Sequence, residues 1–102
     1  MNGETLQSKV VITNPQGFHM RPITAFAELA GRYASQVRVG KDSKLVNGKS
    51  PLELMILGAE KGTELEIEVS GPDAKEALAA LVELLNNLGT EEEHEPPLSQ
   101  PS

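Results

Sequence analysis

The stretch NPQGFHMRP, residues 14–22, places a histidine and an arginine at the start of a segment with helical periodicity. Neutral imidazole is a nucleophile, so the side chain of His19 could carry a group covalently. Arg21 follows two positions later, and a guanidinium donates paired hydrogen bonds to phosphate oxygens. A helix N-terminus also stabilises a bound anion. Together these features favour phosphate chemistry; the alternative is that His19 is an ordinary surface or capping residue at a helix start.

Composition excludes several other classes of function. The chain has 102 residues and a net charge of −6, which argues against binding to a nucleic-acid backbone. There is no cysteine, no Cys/His cluster of the kind that binds metals, and no Gly-rich nucleotide-binding loop. No apolar run reaches membrane-spanning length, and residues 1–9 contain no hydrophobic signal region. We therefore expect a cytoplasmic protein without membrane insertion.

The spacing of apolar residues predicts seven elements in the order β-α-β-β-α-β-α. Residues 64–69 alternate between glutamates and Leu65, Ile67 and Val69, which is typical of a half-buried strand. Strands are predicted over residues 8–13, 36–40, 44–47 and 64–69, and helices over residues 20–34, 51–57 and after Asp73. Because one helix-covered sheet face is the economical arrangement, we expect an α+β fold with a mostly antiparallel sheet. The strand order stays open, since a ferredoxin-like sheet shares this order up to its last helix.

The second helix has clear boundary signals. Ser50 can act as its N-cap, and Pro51 suits its first position. Glu53 can complete a capping box by accepting from the N-cap N–H, and Gly58 is a natural stop.

The last residues, 89–102, differ in composition from the rest of the chain. They read GTEEEHEPPLSQPS, with four glutamates, three prolines and almost no apolar side chain. Such a segment cannot bury enough apolar surface to offset its ordering entropy. We therefore expect one folded domain over residues 1–88 and an acidic, Pro-rich disordered tail over residues 89–102, in which His94 is inert.

Two separate motifs resemble the histidine-containing phosphocarrier protein HPr family of the phosphoenolpyruvate-dependent sugar phosphotransferase system. The first is GFHMRP followed by an amphipathic helix, and the second is VNGKSPLELMILGAEKGTELEIEVSGPDAKEAL. The resemblance covers roughly residues 8–88. It implies an open-faced sandwich in which a four-stranded antiparallel sheet carries three helices on one face.

The same resemblance implies a phosphocarrier that is not a stand-alone enzyme. His19 would accept a phosphoryl group on Nδ1 from phosphorylated enzyme I and pass it to a histidine of an enzyme IIA. Arg21 would neutralise the phosphate. No metal or organic cofactor is implied, and the family implies a monomer.

The resemblance also assigns regulatory and docking residues. Ser50 matches a serine that HPr kinase/phosphorylase phosphorylates in some lineages, although Pro51 departs from the usual aliphatic or aromatic residue at the next position. The implied partner-binding residues are Met20, Thr24, Lys49, Leu52 and Met55. Leu54 could join them or point inward, and any of the apolar members could instead fill the core.

Two other functions remain open at this stage. One is an HPr-like regulatory module that signals through phosphorylation of His19, and possibly of Ser50, without sugar transport. The other is a dimeric, ferredoxin-like small-molecule sensor in which His19 only starts a helix.

Overall fold

Four strands and three helices make up the part of the chain that the computed structural model describes, residues 4–88. The predicted tail over residues 89–102, with His94, lies outside the described residues. The element order is the predicted one: β1 (Glu4–Val11), α1 (Met20–Ala30), β2 (Gln36–Lys41), β3 (Lys44–Asn47), α2 (Pro51–Leu57), β4 (Glu64–Gly71) and α3 (Ala74–Asn86). None of the helices within residues 4–88 is long and apolar enough to cross a membrane.

The strands form one antiparallel sheet with the order β1-β4-β2-β3. The central strand β4 buries Leu65, Ile67 and Val69, while the glutamates between them face outward. Helix α3 packs on β1 and β4, and α2 packs on β2 and β3. This arrangement confirms the expected open-faced sandwich, because one sheet face is covered by helices and the other is polar.

The hydrophobic core joins the helices to the covered sheet face. Phe26, Ile23, Leu54 and Leu81 are among its most buried side chains. Phe18, just before α1, meets Phe26 edge to face with ring centroids 5.8 Å apart. Leu54 is fully buried and therefore points inward, which settles the alternative that the sequence left open.

Strand β1 starts and ends earlier than its apolar residues suggest. It was predicted over residues 8–13, but it spans Glu4–Val11, in register from Glu4↔Gly71 to Val11↔Glu64. The polar residues at its start become strand because β4 supplies hydrogen-bonding partners across the whole length. Strand propensities alone therefore give the wrong ends for this edge strand, since its pairing with β4, and not its composition, determines where it starts and stops.

Helix α1 ends at Ala30 and not at the predicted residue 34. Beyond its end, the carboxylate of Asp73 accepts hydrogen bonds from the backbone N–H groups of Ala34 and Ser35, both at 2.9 Å, and from the Ser35 hydroxyl. The Ser35 side chain and the Ala34 N–H are the main donors that lower the pKa of Asp73. The helix thus ends at its C-cap Gly31, and the carboxylate of Asp73, just before α3, holds the chain that follows.

Candidate functional site

His19 occupies the N-cap position of α1. Its backbone is extended, with φ −109° and ψ −166°, and its carbonyl oxygen accepts the first helical hydrogen bond from Ile23 N–H at 2.8 Å. The imidazole makes no side-chain capping hydrogen bond to the helix. Pro22 lies in the first turn and has no N–H, so Met20 and Arg21 carry the N–H groups that precede that first helical bond. The backbone of His19, and not its side chain, therefore starts the helix.

The loop before His19 is held by a buried asparagine. The backbone N–H of Gly17 donates to Asn14 O at 3.0 Å, and Asn14 Nδ2 donates back to Gly17 O at 2.6 Å. Phe18 N–H donates to Ala59 O at 2.9 Å, which ties the loop to the chain after α2. The sequence identified residues 14–17 as a turn, but it gave no sign that the Asn14 side chain is fully buried inside it.

Gly17 is required by this loop for two reasons. Its φ of +74° lies in the left-handed region that L-residues rarely adopt. In addition, a Cβ at Gly17 would lie 2.9 Å from the carbonyl oxygen of Ala59. The backbone of the loop can approach the segment after α2 this closely only without a side chain, and this approach sets where His19 begins α1.

The geometry brings the predicted phosphate-handling residues to one helix end. His19, the last residue before the helix, is partly exposed. Arg21 lies two positions later, in the first turn of α1, and is exposed. A helix start provides N–H donors and a partial positive charge, and α1 has no acidic side chain in its first turn. An anion next to the imidazole would therefore meet positive potential from the backbone and from the guanidinium.

Ser50 caps α2 as predicted, but the capping box is only half formed. The Ser50 hydroxyl accepts from Glu53 N–H at 3.3 Å, and Pro51 is the first helical residue. The Glu53 carboxylate does not return to the N-cap N–H; it accepts from Asn47 N–H at 2.9 Å. It can do so because the chain turns back between these residues, with Ser50 N–H bonded to Asn47 O at 3.1 Å.

Four large apolar side chains are exposed on α1 and α2. We call Met20 (57% exposed), Leu52 (66%), Met55 (43%) and Ile56 (64%) the apolar patch. Three of them were predicted to bind partners, whereas Ile56 was missed. Its position one helical turn after Leu52 was the available signal. These exposures exclude the alternative that Met20, Leu52 and Met55 only fill the core.

The two polar residues predicted to bind partners lie between the helices. Thr24 is exposed on α1, and Lys49 lies just before α2. The Lys49 ammonium donates to Tyr33 O beyond the end of α1 at 2.8 Å. Lys49 therefore has a structural role as well, since it binds a carbonyl where the helix dipole is negative. Among residues 4–88, no group of three or more His, Asp or Glu side chains could hold a metal ion.

A family comparison decides what this arrangement is. The family model described as "PTS HPr component phosphorylation site" matches residues 6–87. The chain belongs to the HPr family. The HPr of Pseudomonas aeruginosa, named phosphocarrier protein HPr, is 46% identical over 80 residues, which cover 78% of this chain and 89% of that protein.

Solved HPr structures show the same fold. The crystal structure of HPr-C-His from Thermoanaerobacter tengcongensis aligns with a TM-score of 0.80 at 36% identity, covering 84% of this chain and 97% of that one. The solution structure of Crh, the Bacillus subtilis catabolite repression HPr, aligns with a TM-score of 0.60 at 38% identity, covering 78% and 95%. The ferredoxin-like sensor is therefore the wrong assignment, and His19 lies in a chain of the phosphocarrier family.

Proposed function

We propose that this protein carries a phosphoryl group on His19 between two proteins of the phosphotransferase system. The donor is phosphorylated enzyme I, and the acceptor is a histidine of an enzyme IIA. The protein is an intermediate in transfer and not a stand-alone enzyme. We propose that it acts in the cytoplasm as a monomer, as its family implies.

The transfer requires a nucleophile and a counter-charge. The lone pair of His19 Nδ1 attacks phosphorus, the new N–P bond forms, and the bond between phosphorus and the donor atom of enzyme I breaks. Its electron pair stays on the donor, while Nε2 of His19 keeps its proton. Arg21 and the N-terminus of α1 stabilise the negative charge of the phosphoryl group. The return step to enzyme IIA is the same displacement with the roles exchanged.

One observation carries this proposal: a partly exposed histidine is the N-cap residue of α1, at a helix end that favours an anion, in a chain whose family model is described as a phosphorylation site. The exposed position of Arg21 supports the same role.

A labelling assay tests the proposal. The protein is mixed with enzyme I of the same organism, Mg²⁺ and labelled phosphoenolpyruvate, and wild type is compared with His19→Ala. We expect acid-labile, alkali-stable label on wild type and none on His19→Ala. Label that persists in His19→Ala, or wild type that stays unlabelled, would refute the carrier role.

A regulatory role is the second candidate, favoured by the alignment with Crh and by the position of Ser50 at the start of α2. In this role HPr kinase/phosphorylase would phosphorylate the Ser50 hydroxyl with ATP. A phosphate at a helix N-terminus is favoured electrostatically, but here it would face the nearby Glu53 carboxylate. Incubation with that kinase and labelled ATP should give acid-stable label that Ser50→Ala abolishes, and a lack of label on wild type would remove this candidate.

The docking surface for these partners is the second part of the proposal. Met20, Thr24, Lys49, Leu52 and Met55 would contact enzyme I and enzyme IIA in turn. Methionine suits such a surface, because its flexible thioether side chain adapts to different partners.

A further inference from the structure

Two polar side chains are fully buried within residues 4–88, and they lie at opposite ends of α1. Asn14 is 0% exposed in the loop before the helix, and Ser35 is 1% exposed in the chain that follows it. A buried polar group costs free energy unless it is hydrogen-bonded, so each side chain needs a partner in the fold. Ser35 bonds to Asp73 after the end of α1, whereas Asn14 bonds to the loop that leads into His19.

The Asn14 amide acts on the peptide group between Gly17 and Phe18. Its Nδ2 donates to the carbonyl oxygen of Gly17 at 2.6 Å. The N–H at the other end of the same peptide group, from Phe18, donates to Ala59 O at 2.9 Å. Gly17 and Phe18 are both buried, so this peptide group relies on partners inside the fold. Its plane is therefore fixed at both ends, at one end by the Asn14 side chain.

This peptide group determines where the backbone of His19 lies. On the N-terminal side of His19, the Phe18 ring also meets Phe26 edge to face, with ring centroids 5.8 Å apart. On its C-terminal side, the His19 carbonyl accepts from Ile23 N–H at 2.8 Å. Because the backbone is held on both sides, the position from which the imidazole extends is set by these contacts. The Asn14 amide is the polar side chain among them.

We infer that Asn14 is a positioning residue for phosphoryl transfer, because its amide holds the peptide group from which the His19 imidazole is directed at phosphorus. The inference rests on the proposed function, since it takes His19 Nδ1 as the nucleophile. For the N–P bond to form, Nδ1 must lie in line with the bond to the donor that breaks. A misplacement of about 1 Å costs roughly 100-fold in rate. Asn14 therefore acts on the transfer step and not on binding of the donor protein.

The test measures transfer from phosphorylated enzyme I of the same organism over a range of protein concentrations. Asn14→Leu has a side chain of similar size without a donor. It should lower kcat at least about tenfold and leave KM within about twofold of wild type. Asn14→Asp, which keeps the shape but replaces the amide donor, should show the same split between kcat and KM. The matched control is Ser35→Ala, which removes the other buried side-chain hydrogen bond and should leave both constants within about twofold.

A small donor separates positioning from reactivity. Phosphoramidate transfers its phosphoryl group to an imidazole nitrogen as its own P–N bond breaks and ammonia leaves. Because this donor is not held by a protein, it can approach His19 from any open direction. Label at His19 of Asn14→Leu should therefore appear within about twofold of the wild-type rate. Urea unfolding checks that the variants are folded in the assay, and Asn14→Asp carries the same comparison if Asn14→Leu is not.

Four results would overturn the inference. The kcat of both Asn14 variants could stay within about twofold of wild type, which would mean that the amide does not direct the imidazole. KM could rise at constant kcat, which would make Asn14 part of recognition. Ser35→Ala could lose as much kcat, which would make the effect one of stability. Phosphoramidate labelling of Asn14→Leu could fall in parallel with transfer from enzyme I, which would assign the loss to the reactivity of His19.

Failure of the proposed function has a separate signature. Wild type that takes no label from enzyme I refutes the carrier role, and the NMR order parameter of the His19 backbone N–H then tests the role of Asn14. A value of about 0.85 in wild type that falls below about 0.6 in Asn14→Asp would support positioning by the amide. Equal values in the two proteins would refute it.

Discussion

The N-termini of α1 and α2 begin with similar residues but differ in how their side chains cap the helix. Each has an extended N-cap residue and a proline in its first turn. At α2 the Ser50 hydroxyl accepts a first-turn N–H, and Glu53 places a carboxylate there. At α1 the His19 side chain makes no capping bond, and the first turn holds no acidic residue. The start of α2 is capped by its own side chains, whereas the His19 side chain does not cap α1.

This difference shows that the residues that stabilise a helix start need not be the ones proposed to bind a ligand there. A capping serine is worth about 1 kcal/mol, and a first-turn carboxylate adds a few tenths. The N-terminus of α1 forgoes these contributions, and its loop is held instead by Asn14, Gly17 and the contact with Ala59. The position of the histidine is therefore set by the loop before it and not by a side-chain cap on α1.

The largest expected effect is on phosphoryl labelling, and it distinguishes the two N-cap residues, His19 and Ser50. His19→Ala should reduce phosphoryl labelling by more than about 1,000-fold, because the acceptor atom is lost, and should change the free energy of unfolding by less than about 0.5 kcal/mol. Ser50→Ala should keep full labelling and lose about 1 kcal/mol. Labelling and urea unfolding of the same two variants measure both quantities. Loss of labelling in Ser50→Ala, or a large loss of stability in His19→Ala, would contradict the separation.

The second prediction compares two glycines with similar backbone angles near these helices. Gly17 has φ +74° and no room for a Cβ. Gly58, after α2, has φ +68°, and a Cβ added there would lie 3.7 Å from its nearest neighbour, the carbonyl oxygen of Ile56. Gly58→Ala should cost about 1 kcal/mol from the left-handed conformation alone. Gly17→Ala should cost about 3 kcal/mol, because the clash with Ala59 O adds to it, and should also slow labelling. Equal losses in urea unfolding would show that the close approach of the loop is unimportant.

A third variant makes α1 resemble α2. Met20→Glu places a carboxylate in the first turn beside His19 and should stabilise the fold by about 0.5 kcal/mol relative to Met20→Gln. The same carboxylate should compete with the phosphoryl group and slow labelling about tenfold relative to Met20→Gln. Met20→Glu and Met20→Gln both lack the methionine side chain, so the two variants differ only in the charge at position 20. If both variants are labelled at the same rate, the helix end does not help to hold the phosphate.

The smallest effect concerns α3, whose N-cap Asp73 also makes no capping bond to its own helix. Its carboxylate binds the chain after α1, and these hydrogen bonds lower its pKa below 3.8. Because the folded-state pKa is depressed, the stabilisation is complete above about pH 4 and is lost as pH falls through the folded-state value. Asp73→Asn should therefore unfold at lower urea than wild type near pH 6, with a difference that narrows toward pH 2. A constant difference across this range would mean that the charge of Asp73 does not matter.

The sequence was most informative where structure is local. The bounds of β3 and α2 and the capping role of Ser50 follow from adjacent residues, and the structure has them as predicted. The predicted end of α1 was too late, although its C-cap Gly31 is a local stop signal. What local residues could not predict is that Asp73, 38 or 39 positions away, binds Ala34 and Ser35. No local pattern contains that contact.

The candidate site divides in the same way. His19, Arg21 and their helix start could be predicted from one short stretch, because the relevant geometry is that of a helix N-terminus. The burial of Asn14 and the exposure of Ile56 could not, since both depend on which elements pack nearby. The strand order could not be predicted from the sequence either. Alternation of apolar and polar residues shows which face of a strand is buried, but not which strands lie next to it.

The strand order has a consequence for how the chain folds during synthesis. The first of the four strands leaves the ribosome before the others, yet within residues 4–88 it pairs only with the last strand, with Glu4 opposite Gly71. Closing so long a loop is entropically costly, and high contact order slows folding. The β2–β3 hairpin can form early from nearby residues, whereas β1 must wait without a partner until β4 has emerged. We therefore expect nascent chains that stop before β4 to remain protease-sensitive, and protection to arise in one late step once the segment through α3 has been released.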